Sequence, residues 1–319
     1  MSELKAAVIG VGYLGRFHAQ KYAALGDVEL VGVADASLMR AEEVAAEVGC
    51  VAYDDYLPLL AEVDLVSIAV PTQLHHQVAK AALEADCHIL LEKPVTVTVE
   101  EAEELIAIAD ARNLVFQVGH LERFNPAVLA LEGVLNNPLF IESHRLAPFK
   151  PRGTDVNVVL DLMIHDIDII LNLVKSPIKL INSVGVPVLS GEDDIANARL
   201  QFDSGCVANV TASRVSREGM RKIRIFQEDA YISIDYQERR IEIIRKGESG
   251  MPIPGLPNVA MEVKSFEQGD ALMAEITAFV ASVRNGTPPV VSGEAGKRAL
   301  EIALAINKKL WHEVHGTSA

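Results

Sequence analysis

A glycine-rich turn near the start of the chain constrains the fold more than any other feature. Gly10, Gly12 and Gly15 follow the apolar run 5–9 and precede a segment with helical periodicity. The first glycine allows a tight bend, the second lets a pyrophosphate approach the backbone, and the third lets the helix pack closely on the strand. Asp35 ends the next apolar run, where a carboxylate accepts hydrogen bonds from an adenosine ribose. The pattern predicts a dinucleotide-binding turn, with NAD as the cofactor.

This prediction has two alternatives. The glycines could form a plain turn, with Asp35 capping the helix that follows it. Arg40 could neutralise a 2′-phosphate, so the sequence favours NAD over NADP without excluding NADP.

The pattern of hydrophobic residues changes once along the chain of 319 residues and so predicts two domains. Up to Val118, strand-like and helix-like segments alternate, which indicates right-handed βαβ units and a doubly wound parallel sheet of the Rossmann type. After Gly119, longer alternating runs predict an open mixed or antiparallel sheet, covered on one face by a helix over 158–174. The predicted fold is therefore α/β plus α+β, with domains 1–120 and 121–319 and a surface loop over 247–257.

Composition and charge exclude several classes of protein. The net charge of −15 argues against nucleic acid or an anionic membrane as a partner. The most apolar helix carries several charged residues, so it predicts no membrane span. The three cysteines are isolated, which predicts neither a disulfide framework nor a metal site. The first residues enter a strand and show no signal peptide, so we expect a cytoplasmic protein.

Glu92, Lys93 and Pro94 end the fifth predicted strand, at the sheet edge where Rossmann folds bind their ligands. A lysine in a closed cleft is suited to proton transfer near the nicotinamide. The Lys93–Pro94 bond is a candidate cis peptide, since a tight turn there would fix the direction of the ammonium group. The alternative is a solvated lysine at a strand end.

Pro71, Thr72 and His75 follow the fourth predicted strand at the same edge. His75 could face the nicotinamide or the substrate, or it could be an exposed residue in the first turn of a helix. The residues predicted to bind the cofactor belong to the glycine turn and the strand ends, namely Gly10, Gly12, Tyr13, Leu14, Gly15, Asp35, Pro71, Thr72, His75, Glu92 and Lys93.

Asp161, His165 and Asp168 interrupt an almost wholly apolar helical segment at i, i+4 and i+7, and so share one face. Burying such groups without partners costs roughly 2–7 kcal/mol each, so the polar stripe needs an explanation. Histidine suits general base catalysis near neutral pH, and a carboxylate one turn away can orient it. The alternatives are a core histidine bonded to a backbone carbonyl, and aspartates that cap helices or pair with arginines.

Two groups of basic residues occur in this chain of net negative charge. We expect them to hold phosphates or a carboxylate of the substrate, as arginine forks do. Solvated strand faces and inter-subunit salt bridges are the alternatives. The groups are Arg145, Lys150 and Arg152, and then Arg214, Arg217, Arg221, Lys222 and Arg224.

Taken together, these motifs resemble the Gfo/Idh/MocA family of oxidoreductases over essentially the whole chain. The resemblance implies a Rossmann domain, a C-terminal sheet used for substrate binding and oligomerisation, and a lysine and a histidine as the catalytic pair. Met163 departs from the pattern, since many members have glycine two residues before the histidine. The motifs are Gly10-x-Gly12-x-x-Gly15, Pro71-Thr72…His75, Glu92-Lys93-Pro94, Arg123-Phe124-Asn125-Pro126 and Asp161-x-x-x-His165.

Within this family the run 145–168 is similar to UDP-N-acetylglucosamine 3-dehydrogenases, which supply a 3-keto nucleotide sugar for amination in lipid A-type synthesis. We therefore expect an NAD-dependent dehydrogenase that oxidises a secondary sugar hydroxyl, with Lys93, His165 and Asp161 as catalytic residues. The sequence leaves open whether Lys93 or His165 is the base. The residues expected to bind the substrate are Arg123, Asn125, Arg145, Arg152, Asp161 and His165.

Other functions remain as alternatives at this point. They are a dehydrogenase of a free sugar or inositol, a non-catalytic NAD-binding regulator, and a methyltransferase with a similar glycine turn. The predicted second sheet and the Lys93-Pro94 strand end argue against the methyltransferase. We expect a homodimer or homotetramer formed through the C-terminal sheet.

Overall fold

The chain folds into two units. The computed structural model describes residues 3–149, 156–246, 259–267 and 269–315. The first unit consists of Met1–Leu121 and Asp270–Leu300, and the second of Glu122–Gly269 and Glu301–Ala319.

The first unit is built on a parallel sheet with helices in its connections. Its strands are β1 (Leu4–Ile9), β2 (Val28–Ala34), β3 (Val51–Tyr53), β4 (Leu65–Ile68), β5 (His88–Glu92) and β6 (Phe116–Gly119). Its helices up to residue 121 are α1 (Tyr13–Ala24), α2 (Leu38–Val48), α3 (Tyr56–Leu60), α4 (His75–Glu84) and α5 (Val99–Arg112). All neighbouring strands pair in parallel, in the order β3-β2-β1-β4-β5-β6. The predicted doubly wound sheet is confirmed.

The strand order reverses beside β1, and this reversal places the site. In doubly wound sheets, nucleotides bind at the carboxyl edge where neighbouring connections leave in opposite directions. Gly10, Asp35 and Lys93 directly follow β1, β2 and β5, and Pro71 lies just beyond β4. The parallel sheet therefore collects these residues at one edge, although they are far apart in sequence.

Local signals set the helix bounds in this unit. Thr98 precedes α5, and its hydroxyl accepts the N–H of Glu101 at 3.3 Å, while the Glu101 carboxylate accepts the N–H of Thr98 at 3.1 Å. This capping box satisfies two backbone donors that a helix N-terminus otherwise leaves unpaired. The predicted start of this helix at Thr98 is confirmed.

The second unit contains a sheet of eight strands. They are β7 (Phe140–Leu146), β8 (Ile178–Val186), β9 (Ile195–Phe202), β10 (Val207–Ser213), β11 (Met220–Phe226), β12 (Ala230–Asp235), β13 (Arg240–Lys246) and β14 (Val259–Ser265), in the order β14-β13-β12-β11-β7-β10-β9-β8. The short helix α6 (Pro126–Leu129) precedes the sheet, and α7 (Ile164–Leu173) packs on β7 and β10. β7 and β10 run parallel and the other neighbours antiparallel, so the predicted mixed sheet covered by a helix is confirmed.

Two differences from the predicted second domain concern its later part. Strand β14 was not predicted, and the predicted loop over 247–257 lies outside the described residues. Helix α8 (Ala271–Asn285) belongs to the first unit, although the sequence assigned 121–319 to one domain. The cause is hydrophobic, since Ile276 and Phe279 are fully buried in the core of the first unit.

Helix α9 (Gly293–His315) is the last described element. Within the described residues, no helix is both long enough and apolar enough to cross a membrane.

Asp194 fixes the connection between β8 and β9. Its carboxylate accepts the backbone N–H groups of Val188, Leu189 and Ser190 at 2.8, 2.5 and 2.9 Å, and the Ser190 hydroxyl at 2.6 Å. Burial opposes ionisation, but these donors outweigh it and hold the pKa of Asp194 at about 2. The anion therefore stabilises the fold at neutral pH.

We expect Asp194→Asn to lower the free energy of unfolding by about 2 kcal/mol at pH 7, because an amide cannot accept hydrogen bonds with both of its terminal atoms. The folded pKa lies below the unfolded value of about 4, so this stabilisation is present above about pH 4 and is lost as the pH falls through the folded pKa. Urea unfolding should show a difference between the two proteins that narrows below pH 4. Asp54→Asn, at an exposed position, is the control, and a pH-independent difference would contradict the role of ionised Asp194.

Candidate active site

The glycine turn has the geometry that a pyrophosphate requires. Gly10 has a φ of 83°, and a Cβ there would meet the backbone of Ala69 at 2.8 Å. A Cβ on Gly15 would lie 1.8 Å from the carbonyl oxygen of Gly10, so α1 packs on the turn at a distance that only glycine allows. A Cβ on Gly12 would meet nothing within 4 Å. This open space at the N-terminus of α1, where free N–H groups favour a phosphate, fits NAD.

Asp35 is tied to the glycine turn. Its carboxylate accepts the N–H of Val11 at 3.0 Å and that of Ser37 at 2.9 Å, and Nη1 of Arg40 lies 3.4 Å away. A carboxylate has about four acceptor positions, so these contacts leave room for a ribose hydroxyl. The side chain of Arg40 beside it is 53% exposed. The alternative in which Arg40 neutralises the 2′-phosphate of NADP requires such exposure.

His75 is buried between the chain segments that follow β4 and β5. Its Nδ1 is 2.8 Å from the carbonyl oxygen of Pro94, its Nε2 is 2.9 Å from that of Val70, and the residue is 1% exposed. Burial lowers the pKa of His75 despite the two carbonyls. A neutral imidazole has one N–H, so it donates to one of these two carbonyls, and the ring fills the space between the chain segments that follow β4 and β5. This buried position disfavours the predicted contact with the nicotinamide. Pro71 and Thr72 are more exposed at the same edge.

Lys93 follows β5 directly, and its peptide bond to Pro94 is cis, as the sequence predicted. Glu92, the last residue of β5, turns its carboxylate toward α1. Its Oε1 lies 3.1 Å from Nε2 of His18, and its Oε2 accepts the backbone N–H of Lys93 at 3.3 Å. Burial raises the pKa of Glu92, but His18 and Lys93 outweigh burial and lower it, so Glu92 is an anion. Glu92 thus contacts His18 in this structure, and its contact with the cofactor stays a prediction.

The helix predicted over 158–174 has two parts. Val159–Met163 is a π-helix, and α7 follows it. The wider turn changes the predicted spacing, because positions i, i+4 and i+7 share a face only in a regular α-helix. Asp161 lies in the π-helix and His165 in the first turn of α7, and both are half-buried. Met163, the residue that departs from the family pattern, ends the π-helix.

Asp168 forms a buried ion pair with an arginine. Its two carboxylate oxygens accept Nε and Nη2 of Arg123 at 2.6 and 2.8 Å, and the side chains are 2% and 10% exposed. A buried carboxylate requires such a partner. The structure therefore shows the alternative in which the aspartate pairs with an arginine. The substrate contact of Arg123 stays a prediction.

Arg145 is the clearest correction to the predicted substrate set. Its Nε donates to Asp166 at 2.6 Å, its Nη1 donates to Glu122 at 3.0 Å, and the residue is 3% exposed. The guanidinium therefore donates to two carboxylates inside the second unit, where a buried charge of either sign requires a partner of opposite sign.

Asn125 also has a local role. Its Oδ1 accepts the N–H of Ala127 and caps α6, and its Nδ2 donates to the carbonyl of Tyr236 at 3.3 Å. The predicted contacts of Lys150 and Arg152 lie outside the described residues.

The second predicted group of cations is divided between the faces of the sheet. Lys222 lies 3.0 Å from Asp235 and Arg224 lies 3.2 Å from Glu142, so these two form cross-strand ion pairs. Arg221 lies on the opposite face and is 49% exposed.

Arg214 and Arg217 differ from these three. Arg214 is buried and donates to the carbonyl of Val156, whereas Arg217 is exposed in the connection between β10 and β11. The cations that neighbour each other in sequence therefore do not form one binding surface.

His18 is a residue of the site that sequence reasoning missed. It lies three residues after Gly15, on the side of α1 that packs on the sheet, and it is 1% exposed. The i, i+3 spacing from the packed glycine was the available signal.

The strand reversal, the glycine turn and the lysine at the end of β5 define an oxidoreductase with a Rossmann domain and a second α+β unit. Two family models match the chain, "Oxidoreductase family, NAD-binding Rossmann fold" at residues 4–120 and "GFO/IDH/MocA C-terminal domain" at residues 131–233. The chain belongs to the Gfo/Idh/MocA family.

Known relatives match over both units. UDP-N-acetylglucosamine 3-dehydrogenase from Acidithiobacillus ferrooxidans is 44% identical over 96% of this chain and 97% of its own. A solved structure of that enzyme gives a TM-score of 0.92 at 43% identity and covers 97% of this chain and 98% of its own. The scyllo-inositol 2-dehydrogenase (NAD(+)) of Bacillus subtilis is 28% identical over 95% of this chain and 93% of its own.

These findings confirm the predicted family, the fold class and NAD as the cofactor. The chain is an oxidoreductase. Among the described residues, no cluster of three or more His, Cys, Asp or Glu side chains is arranged to hold a metal ion.

Gly12→Ala and Gly15→Ala should separate cofactor binding from folding. Gly12→Ala should leave the melting temperature within about 2 °C but weaken NADH binding about tenfold or more, because its Cβ enters the space left open for the pyrophosphate. Gly15→Ala should unfold at clearly lower temperature, because its Cβ meets the Gly10 carbonyl. Fluorescence titration and thermal melts measure both effects. Undiminished NADH affinity in Gly12→Ala would place the pyrophosphate elsewhere.

Proposed function

We propose that this chain is a UDP-N-acetylglucosamine 3-dehydrogenase, which oxidises the C3 hydroxyl of the sugar to a ketone. The observation that carries the proposal is the 44% identity to such an enzyme over 96% of the chain, because it spans the second unit as well as the cofactor unit. The inositol dehydrogenases are more distant relatives, so inositol is the competing substrate.

Lys93, His165 and Asp161 are the proposed catalytic residues. NAD, which the glycine turn and Asp35 would hold, would supply the hydride acceptor for this oxidation. The hydroxyl proton passes to His165 or Lys93, and the other residue donates a hydrogen bond to the oxygen as the C=O bond forms. Asp161 orients His165 or binds a neighbouring hydroxyl. Because coupled groups share their protons, the base is assigned to the pair rather than to one member.

The cofactor residues support NAD rather than NADP. Gly10, Gly12 and Gly15 form the turn for the pyrophosphate, and Asp35 is the proposed partner of the adenosine ribose. An ionised carboxylate at that position repels a 2′-phosphate, and this repulsion favours NAD.

Among the described residues, Arg221 is the one that we propose as the contact for the diphosphate of UDP-N-acetylglucosamine. It pairs in register with Arg145 across β11 and β7, so both lie on the face that α7 covers. Unlike Arg145, Arg221 is half exposed, and its ion pair with Glu122 is long, at 3.8 Å. Arg152 remains a proposed substrate-binding residue on the basis of the sequence alone.

The opposite face of the same sheet is the proposed surface for a homodimer or homotetramer. Phe140, Phe226 and Tyr231 lie on β7, β11 and β12 in a row of ring contacts at 5.6 and 5.1 Å, and they are only half-buried. Aromatic residues with exposed area favour an interface. We further propose that the enzyme works in the cytoplasm, where nucleotide sugars and NAD are available.

Lys93→Ala and His165→Ala should each lower turnover about 10²-fold or more while NADH binding persists, as expected for acid–base groups. The double variant should be far from additive, because both groups act on one oxygen. Lys80→Ala and His76→Ala, which change an exposed ion-pair cluster with Glu104, are the matched controls. Normal turnover in His165→Ala would make that residue structural.

The substrate can be tested by NADH formation with UDP-N-acetylglucosamine, free N-acetylglucosamine and inositols, with an aminotransferase present to remove the ketone. We expect activity with the nucleotide sugar and little with the free sugars, because binding energy from the remote nucleotide positions the reacting carbon. Arg221→Ala should raise KM more than it lowers kcat. Equal activity with free sugars or inositol would overturn the nucleotide-sugar assignment and leave the dehydrogenase.

A further inference from the structure

A buried pair of side chains connects α1 to the end of β5. His18 is 1% exposed, and its Nε2 lies 3.1 Å from Oε1 of Glu92. An ionised carboxylate can only accept, so the proton of this hydrogen bond belongs to Nε2. The second carboxylate oxygen of Glu92 accepts the backbone N–H of Lys93 at 3.3 Å. One carboxylate therefore joins the helix that starts at the glycine turn to the lysine.

The packing around Glu92 leaves its carboxylate little freedom. Glu92 pairs in register with Gly119 across β5 and β6. A Cβ on Gly119 would lie 3.1 Å from both Oε2 and Cδ of Glu92. The glycine therefore leaves room for the carboxylate over β6, and the hydrogen bond to His18 sets its direction.

Four ionisable groups face this carboxylate from the surrounding elements. They are Lys93 beside it on the chain, His18 on α1, His75 on α4 and Glu275 on α8. Glu275 is fully buried, and neither carboxyl oxygen has a hydrogen-bond partner among the described residues. Burial and the charge of Glu92 raise the pKa of Glu275 well above its usual value. Glu275 is thus a neutral acid, and the negative charge belongs to Glu92.

We propose that Glu92, held by His18, is a positioning residue that fixes the backbone and the charge state of Lys93. The inference rests on the proposed catalytic role of Lys93. The Glu92 carboxylate accepts the backbone N–H of Lys93, and His18, its other partner, lies on the helix whose N-terminus fits the pyrophosphate. The cofactor helix and the catalytic lysine therefore share one buried contact.

The first test needs no substrate. Competitive labelling with acetic anhydride, followed by mass spectrometry of the peptide that contains Lys93, measures the pH at which this amine loses its proton. In Glu92→Gln the midpoint should move to lower pH by about one unit, because a nearby anion that stabilises the ammonium is removed. Glu275→Gln replaces one neutral buried group by another and should leave the midpoint unchanged.

The second test uses turnover of the complete enzyme. Glu92→Gln should lower kcat about tenfold or more and shift the pH profile in the same direction, while the NADH dissociation constant stays within about twofold. His18→Leu should lower kcat as well, and His18→Gln, which keeps a donor for Glu92, should restore most of it. Rescue by glutamine keeps the proposal testable if Glu92→Gln folds poorly.

The outcomes separate the two proposals. A shifted labelling midpoint without turnover of any sugar would support the positioning role and refute the proposed activity. Turnover with an unchanged midpoint in Glu92→Gln would refute the positioning role alone. An equal shift in Glu275→Gln would also refute it, since the charge would then belong to Glu275.

Discussion

The close approach of α1 to the glycine turn is the constraint on which the cofactor unit depends. A Cβ on Gly15 would lie 1.8 Å from the Gly10 carbonyl, so any other residue would move the whole helix. With the helix in place, its N-terminus borders the open space beside Gly12. On the side of the helix that packs on the sheet, His18 contacts Glu92. The position of the helix therefore determines both the phosphate site and the contact behind Lys93.

Ion pairs between buried side chains hold α7 in the second unit. Buried cations each contact a buried or half-buried acid, as Arg123 does with Asp168 and Arg145 with Asp166. Breaking such a pair leaves an uncompensated charge, which costs about 3–5 kcal/mol. The acids on α7 and the arginines around them thus position the helix that carries His165.

The parallel sheet could be predicted because its signals are local. Strand and helix periodicities, the capping box at Thr98 and the glycine turn each lie within a few residues of the element they specify. The return of α8 to the first unit could not be predicted, since its apolar face would suit the core of either unit.

The sequence identified several residues of the candidate site, but it did not predict which side chains they contact. Lys93, its cis bond to Pro94 and the segment containing Asp161 and His165 were recognised from sequence, whereas the π-helix was not, because it has the same residue types as an α-helix. Charge clusters were the least informative signal. Arg145 precedes two other cations in sequence, yet its partners, Glu122 and Asp166, come from other elements.

Arg145 and Arg221 lie opposite each other on neighbouring strands, and this pair of like charges favours the binding of an anion. Like charges directly opposite each other across strands repel, and here the two guanidinium groups share a register position and a face. Arg145 has its own carboxylates, whereas burial and the charge of Arg145 lower the pKa of Arg221. Glu122, which lies 3.8 Å from Arg221, is already hydrogen-bonded to Arg145. An anion bound at this half-exposed position would relieve the repulsion, which is the physical basis for proposing Arg221 as the contact for a diphosphate.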